Sequence, residues 1–413
     1  MVIVGGGLVG ASLGIALAKL SLRIALIEAI PFTAREQPSY DDRPTALALG
    51  SQRIFEGWGL WQDLGSSAAP IRRVHVSEVG RFGVTRLHAE EYGVPALGYV
   101  VENRRIGETL AAGLGAASNI ETFLPARFLG LRQAAKRVEV DIEHEGASKT
   151  LTARLLVGAD GANSRVREAL GIRAETRDYA QTAVIANVTP ERDHRGVAYE
   201  RFTPSGPIAL LPMTPVDREP RCKLVWTHPS TDAAARLKQS ETAFLRDLQQ
   251  AFGHRLGRFR KVGTRASYPL QRVLSQEQTQ GRCLLIGNAA HSLHPVAAQG
   301  FNLSLRDVVT LTELLAEAIQ QQKDIGSAEL LTRYCSLRSK DQARVSGFTD
   351  SLVRFFSSDL PGLGSARSLG LLGMDLAPAL KRAFALRNMG LTASSSSRER
   401  AHKKIPSPLR GEG

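Results

Sequence analysis

The chain opens on a short apolar run, Val2–Val4, then a glycine-broken turn. An apolar stretch with helical spacing follows from Leu8 to Leu20, and then a second apolar run, Arg23–Glu28 (RIALIE). Short continuous apolar runs read as buried strands and the longer periodic one as a helix, so the opening predicts a tight βαβ unit. Pro31–Pro44 is rich in proline and charge and predicts a loop. Helix is expected over Thr45–Leu64, strands over Val74–Tyr92, and a helix over Asn103–Ala117 after Tyr99–Glu102. Glu121–Val157 predicts strands with a hairpin near Glu143–Ser148, and Gln181–Ala186 and Arg195–Trp226 carry strand formers and turn signals that predict an antiparallel sheet. Glu241–Phe252 reads as helix, and Cys283–Gly287 (CLLIG) as a buried strand. A long helix is expected from about Gly300 to Gln321, with further helix to about Gly347. Leu352–Leu391 is apolar and basic, whereas Thr392–Gly413, with four consecutive serines, predicts a disordered tail.

Together these blocks predict an α/β fold. A discontinuous Rossmann-like domain is expected over 1–72, 98–180 and 271–350, with an inserted antiparallel β-sheet domain over 73–97 and 181–270. A C-terminal helical segment, 351–391, and the tail, 392–413, follow. A length of 413 residues suits two domains.

Composition narrows the function classes. The net charge of +13, from 53 Lys and Arg against 40 Asp and Glu, favours anionic partners. Neither zinc-finger spacing nor an aromatic RNA-binding signature is present, so no nucleic-acid partner is expected. A solvated basic surface and attraction to an anionic membrane leaflet both stay open. Met1–Leu20 lacks a basic leader and is cut by glycines, so it reads as strand, turn and helix rather than as a signal peptide. No uninterrupted apolar run reaches the length a transmembrane helix needs, so a cytoplasmic chain with at most peripheral membrane contact is expected. Three scattered cysteines, Cys222, Cys283 and Cys335, form no disulfide framework and suit a reducing compartment.

The candidate chemistry starts at Gly5-x-Gly7-x-x-Gly10, between the first strand and the first helix. Gly5 permits the tight turn, Gly7 lets backbone approach a pyrophosphate, and Gly10 lets helix pack close on strand. The helix N-terminus, with Leu8 and Val9 in its first turn, then offers free N–H groups and a positive dipole end to phosphates. Glu28 ends the second strand, where an acid is expected to bond ribose hydroxyls and disfavours a 2′-phosphate. His291 and His294 lie three apart, but no third ligand accompanies them and no metal is expected.

Two later segments, Leu155–Arg167 (LLVGADGANSRVR) and Leu284–Asp307 (LIGNAAHSLHPVAAQGFNLSLRD), choose the dinucleotide. With the glycine motif they resemble, in order and separation, the signatures of the flavin-dependent aromatic hydroxylases, over about Met1 to Gln342. The resemblance implies FAD. It places Asn288 at the ribityl chain, where the family has aspartate, and Pro295 where the chain turns beside the isoalloxazine. Ala298, Gln299, Gly300, Phe301 and Asn302 would present N–H groups to the N1/C2 edge, which carries negative charge in reduced flavin. Pro295, Gln299 and Gly300 are thereby the implied catalytic positions. Arg43, in DDRPTAL, falls at the flavin's outer rim; Asn103, in VVENRRIG, touches the flavin; Asp160 lies between pyrophosphate and pyridine-nucleotide path. Asp160 as a helix N-cap and Arg43 as a surface arginine are the plain alternatives. Ala298 and Ser304 stand where the family has glycine.

Val76–Val101 (VSEVGRFGVTRLHAEEYGVPALGYVV), the Gly-Asn-Ala-Ala-His variant and Tyr199–Pro212 (YERFTPSGPIALLP) resemble the ubiquinone-biosynthesis branch, the 2-polyprenyl-6-methoxyphenol hydroxylases. That branch implies reduction of FAD by NAD(P)H, reaction with O2 to a C4a-hydroperoxide, and hydroxylation of an apolar phenol in a dry pocket. The implied partners are the phenol and O2, with a homo-oligomer or a biosynthetic complex left open. Leu352–Leu391 either rests on a membrane through Lys381, Arg382 and Arg387 or packs on the protein. The rival functions are hydroxylation of another aromatic compound and a non-catalytic FAD-bound role in a lipid-biosynthetic complex.

Overall fold

The computed structural model describes residues 1–34, 37, 43–293, 299–356, 370 and 372–391. Pro295, Ala298, His294 and the expected tail 392–413 lie outside the described residues.

The strand Val2–Val4 is wholly buried and pairs in parallel with Ile24–Ile27 on one side and Leu156–Gly158 on the other. Cys283–Leu285 and Ile120–Phe123 extend the sheet in parallel, and Thr279–Gln280 closes one edge antiparallel, giving six strands. Short, fully apolar strands are what a parallel sheet covered on both faces requires. On one face Leu13 and Leu17 of the helix Leu8–Leu17 and Leu311 and Leu315 of the helix Gln299–Gln320 pack on Ile3, Val157 and Leu284. On the other, the meander Ala126–Ala134, Arg137–His144 and Ala147–Ala153 brings Val138, Val140 and Ile142 against Val2, Val4 and Leu285.

A second, larger sheet runs Val84–His88, Arg73–Glu78, Val197–Thr203, Gly206–Val216, Glu219–Pro229, Ala174–Pro190, Ala266–Ser275 and His291–Ser292. Period-2 alternation gives it two unlike faces. Val184, Ile208, Leu224 and Trp226 point outward and are covered by Phe244, Leu248 and Phe252 of the helix Glu241–Phe252. Burying each such large apolar side chain contributes about 2–3 kcal/mol over leaving it exposed. Ala198, Glu200, Ala209 and Val225 point the other way and line a cavity over the six-stranded sheet.

The structure departs from the sequence expectations in places. Thr45–Leu64 is not all helix: Pro44–Ala48 is a strand, antiparallel to Gly98–Glu102, and helices occupy Leu49–Gly57 and Trp61–Gly65. Alanine and leucine favour helix locally, but pairing with a partner strand distant in sequence overrides that weak preference. The helix Ser230–Lys238 stands where no element was expected. Ala174–Pro190 is one strand of 17 residues that runs through position 180, paired with Ala266–Ser275.

The described end of the apolar, basic C-terminal segment, 372–391, packs on the protein. Ala385 and Met389, at the end of the helix Pro378–Asn388, are buried with Leu49, Ala69 and Ile71. The Gly50 amide donates to the Met389 carbonyl at 2.7 Å. Lys381 is ion-paired to Glu91 at 3.1 Å and to Asp375 at 3.7 Å, so its charge has partners within the protein; Arg382 and Arg387 are exposed. No described helix is long and apolar enough to cross a membrane.

Candidate active site

Gly5 adopts φ +101° as the chain leaves the first strand, and a Cβ there would lie 2.5 Å from the Ala159 carbonyl oxygen. At Gly10 a Cβ would lie 1.8 Å from the Gly5 carbonyl oxygen, so only glycine lets this helix start so close to the strand. The helix Leu8–Leu17 has no side-chain cap and no acid in its first turn. Its leading amides and dipole are thus available to an anion. Gly5, Gly7, Leu8 and Val9 line the cavity, while Gly10 lies behind them in the helix–strand contact.

Glu28 reaches back across the turn. One carboxylate oxygen accepts from the Gly6 amide at 2.6 Å and the other from the Ile30 amide at 2.9 Å. Each oxygen keeps a second lone pair and the residue lines the cavity, which suits it to diol hydroxyls. Asp160 braces a helix start whose N-cap is Ser164: it accepts from the Ser164 hydroxyl at 2.5 Å and the Val166 amide at 3.1 Å, at the start of Arg165–Ala169. It also lines the cavity. Arg167 ties the second and third sequence signatures together, donating to the carbonyls of Ala289 and Ala162 at 2.9 and 2.8 Å.

At the far end of that wall the helix Gln299–Gln320 begins, again without an acid in its first turn. Gln299, Gly300, Phe301 and Asn302 line the cavity opposite Asn288, which is exposed into it. The Asn302 side chain does not point at a ligand. It accepts from the Ala48 amide at 2.8 Å and donates to the Ala46 carbonyl at 2.9 Å, locking strand Pro44–Ala48 to the helix start. Gln299 donates to the Asn388 side chain at 3.3 Å, so the C-terminal helix closes over this corner. Asn103 accepts from the Thr45 hydroxyl at 2.6 Å, and the Arg43 guanidinium lies over the Tyr268 ring, 4.6 Å from its centroid.

His291 is not a free metal ligand. Its Nε2 lies 2.6 Å from Asp307, which also accepts from Arg338 at 2.5 Å and from Gln342 at 3.0 Å. Burial drives the Asp307 carboxyl up, but the adjoining Arg338 and His291 charges outweigh it and hold it down at about 2. This buried network ties the strand His291–Ser292 to the helix Gln299–Gln320 and to the helix Ala328–Phe356 behind it.

The cavity, of about 1440 Å³, joins the two helix starts and continues under the large sheet. Its nucleotide end is polar and glycine-lined, and its sheet end is apolar, with Val76, Leu211, Val225, Phe384 and Met389. The uncapped helix start, the cradle a Cβ would fill and the acid at the second strand together fit an adenine dinucleotide. Gly5, Gly7, Leu8, Val9, Glu28, Arg43, Asn103, Asp160, Asn288 and 299–302 thus surround one space. Sequence reasoning gave no role to Tyr268, Asn388, Phe384 or Glu200. Glu200 lies on the inward face of Val197–Thr203 and has no hydrogen-bond partner among the described residues. The strand's alternation, Ala198, Glu200, Phe202, would have shown an acid on an otherwise apolar face.

Comparison with known proteins agrees with this geometry. The family described as an FAD binding domain matches residues 1–349. The chain is 38% identical over 407 residues to the ubiquinone hydroxylase UbiL of Rhodospirillum rubrum, covering 98% of this chain and 93% of the relative. It is 33% identical over 388 residues to the 3-demethoxyubiquinol 3-hydroxylase of Escherichia coli, covering 92% and 95%. The crystal structure of p-nitrophenol 4-monooxygenase PnpA from Pseudomonas putida superimposes with a TM-score of 0.76 at 18% identity, covering 94% of this chain and 97% of that one, and shows the same fold. The chain belongs to the FAD-binding monooxygenase family, in the group that holds the ubiquinone-biosynthesis hydroxylases.

Proposed function

We propose that the protein hydroxylates a polyprenylated phenol of the 2-polyprenyl-6-methoxyphenol class in ubiquinone biosynthesis, with NADH or NADPH as the electron donor. The observation that carries this reading is the continuity of one cavity from a glycine-lined dinucleotide end to an apolar end under the sheet. FAD, when bound, supplies the activation of O2. The Gly5–Gly10 turn and Glu28 would hold its adenosine half, and the amides at the start of Gln299–Gln320 would stabilise the negative charge that reduction places on the flavin. The sheet end excludes water and orients the aromatic ring, and its apolar walls accept a prenyl chain. The C-terminal helix supplies part of that wall through Phe384 and Met389.

Access for so apolar a substrate is through a membrane surface, and Leu376 and Leu380, 71% and 56% exposed, sit on the outer side of the same segment. Arg382 and Arg387 stand exposed beside them to meet anionic headgroups.

The test is stopped-flow reduction of the holoenzyme by NADH and NADPH with and without a short-chain 2-prenyl-6-methoxyphenol. Faster reduction with the phenol, followed by hydroxylated product, is expected. Absence of both points to the non-catalytic role. In cells lacking the chain, a methoxyphenol precursor accumulates; accumulation of a different intermediate overturns the substrate assignment.

A further inference from the structure

The cavity's described lining includes three carboxyls. Glu28 and Asp160 sit at the nucleotide end and are spent on backbone amides and a serine hydroxyl. Glu200 is different. Its neighbours across the sheet are Val76 on one side and Ala209 on the other, and Val225 and Ile185 continue the same row. The residues flanking it on its own strand point away: Tyr199 packs on Phe252, 5.5 Å between ring centroids, and Arg201 donates to the Ala251 carbonyl. It is partly exposed and lines the cavity. A carboxylate held without partners among apolar side chains is unfavourable, and a valine or leucine there would stabilise the sheet.

We propose that Glu200 is the base that takes the proton from the substrate's phenolic hydroxyl, a role that rests on the aromatic-hydroxylase reading above. The O–H bond breaks, the proton moves to a Glu200 carboxylate oxygen, and the electron pair stays on the phenolic oxygen. The resulting phenolate is richer in electrons at the ring carbon that receives oxygen. When the hydroxylated ring regains aromaticity, losing its ring hydrogen to water as a proton, Glu200 returns its proton to that same oxygen and ends as it began.

Desolvation by burial pushes the Glu200 carboxyl up to about 7, where a base is both available and strong enough to act near neutral pH. Among the described residues, the other ionisable groups on this face include Glu78, two residues beyond Val76 and outside the cavity lining, Lys223, opposite Leu211 two strands away, and Tyr268, opposite Ala183 in the cavity lining. Arg43, stacked on Tyr268, is the cavity's cation at this end.

The test measures kcat and KM against pH for wild-type, E200Q and E200D holoenzymes, all with full flavin content, using a short-chain 2-prenylphenol. The wild-type kcat is expected to rise through a limb near 7. E200Q should lose about 10²-fold in kcat at neutral pH with little change in KM. Its kcat should climb only as pH nears the phenol's own pKa, about 10. E200D should recover part of the rate and the limb. An E200Q enzyme with the wild-type pH profile overturns the role of Glu200. A wild type that hydroxylates no prenylphenol overturns the underlying reading, and this role with it.

Discussion

Asn302 binds Ala48 across 254 residues of sequence: its side-chain oxygen accepts from the Ala48 amide at 2.8 Å while its nitrogen donates to the Ala46 carbonyl at 2.9 Å. One buried amide thus couples the helix start facing the flavin site to the strand that runs back to Arg43. Asn302→Ala leaves the buried Ala48 N–H unsatisfied, at about 1–3 kcal/mol, and takes a donor from the half-buried Ala46 carbonyl. We expect a clear fall in the urea midpoint and weaker FAD retention on dilution. Asn302→Asp keeps the acceptor for Ala48 but sets a carboxylate against the Ala46 carbonyl, so it should be no better than alanine.

Asp307 holds His291 and Arg338 together in the interior. Removing its charge by Asp307→Asn leaves Arg338 only partly paired, through Asp341 at 2.9 Å. We expect a loss on the order of 3–5 kcal/mol at neutral pH. The wild-type carboxyl titrates at about 2 in the folded chain, below its value in the unfolded one. Its stabilisation is therefore complete above the ordinary carboxyl range and disappears as pH falls from about 4 towards 2. Urea midpoints across that window should drop more steeply for wild type than for D307N.

Glu28 braces the Gly6 and Ile30 amides, and in the proposed reading it also meets the ribose hydroxyls of FAD. Glu28→Gln keeps one acceptor and loses the charge, so FAD affinity should fall roughly 10-fold or more with the fold intact, as expected for losing a charged hydrogen bond. Fluorescence titration of the deflavinated protein reads this directly. Gly10→Ala, by contrast, drives a methyl into the Gly5 carbonyl, and should disrupt both FAD binding and the helix–strand contact.

Leu376 and Leu380 carry the membrane reading, since both are exposed and neither packs in a buried cluster. The double change Leu376→Glu, Leu380→Glu should leave the melting temperature within error and reduce cosedimentation with anionic vesicles. Unchanged cosedimentation assigns these residues to another role.

Much of the nucleotide fold was legible because its signals are local. Gly5, Gly7, Gly10 and Glu28 lie within one βαβ unit, where each residue type is dictated by backbone conformation or by a phosphate. The strand Pro44–Ala48 was read as helix because its partners, Gly98–Glu102 and Asn302, are far along the chain and no local pattern announces them. The reading of Asn302 concerned its backbone N–H, and no local pattern announced that its side chain also ties the helix start to the strand Pro44–Ala48. Asp160 borders the cavity and also accepts from the first-turn amide of Val166, while Ser164 is the N-cap of that helix. The C-terminal helix gave an ambiguous pattern because it buries only a narrow face, Ala385 and Met389, and leaves leucines exposed. Glu200 was overlooked because a single acid in a strand is ordinary; the alternation Ala198, Glu200, Phe202 carries a local signal, and the sheet register adds the apolar neighbours on the adjoining strands.

The central claim is that one continuous cavity brings a flavin and an apolar phenol together for oxygen transfer. It is tested most directly by letting the reduced holoenzyme react with oxygen-18 gas and a short-chain 2-prenyl-6-methoxyphenol, followed by mass spectrometry of the phenol. The account predicts a ring-hydroxylated product carrying one heavy oxygen atom. Reoxidation of the flavin with all of the heavy oxygen recovered as peroxide or water, and the phenol unchanged, would contradict it.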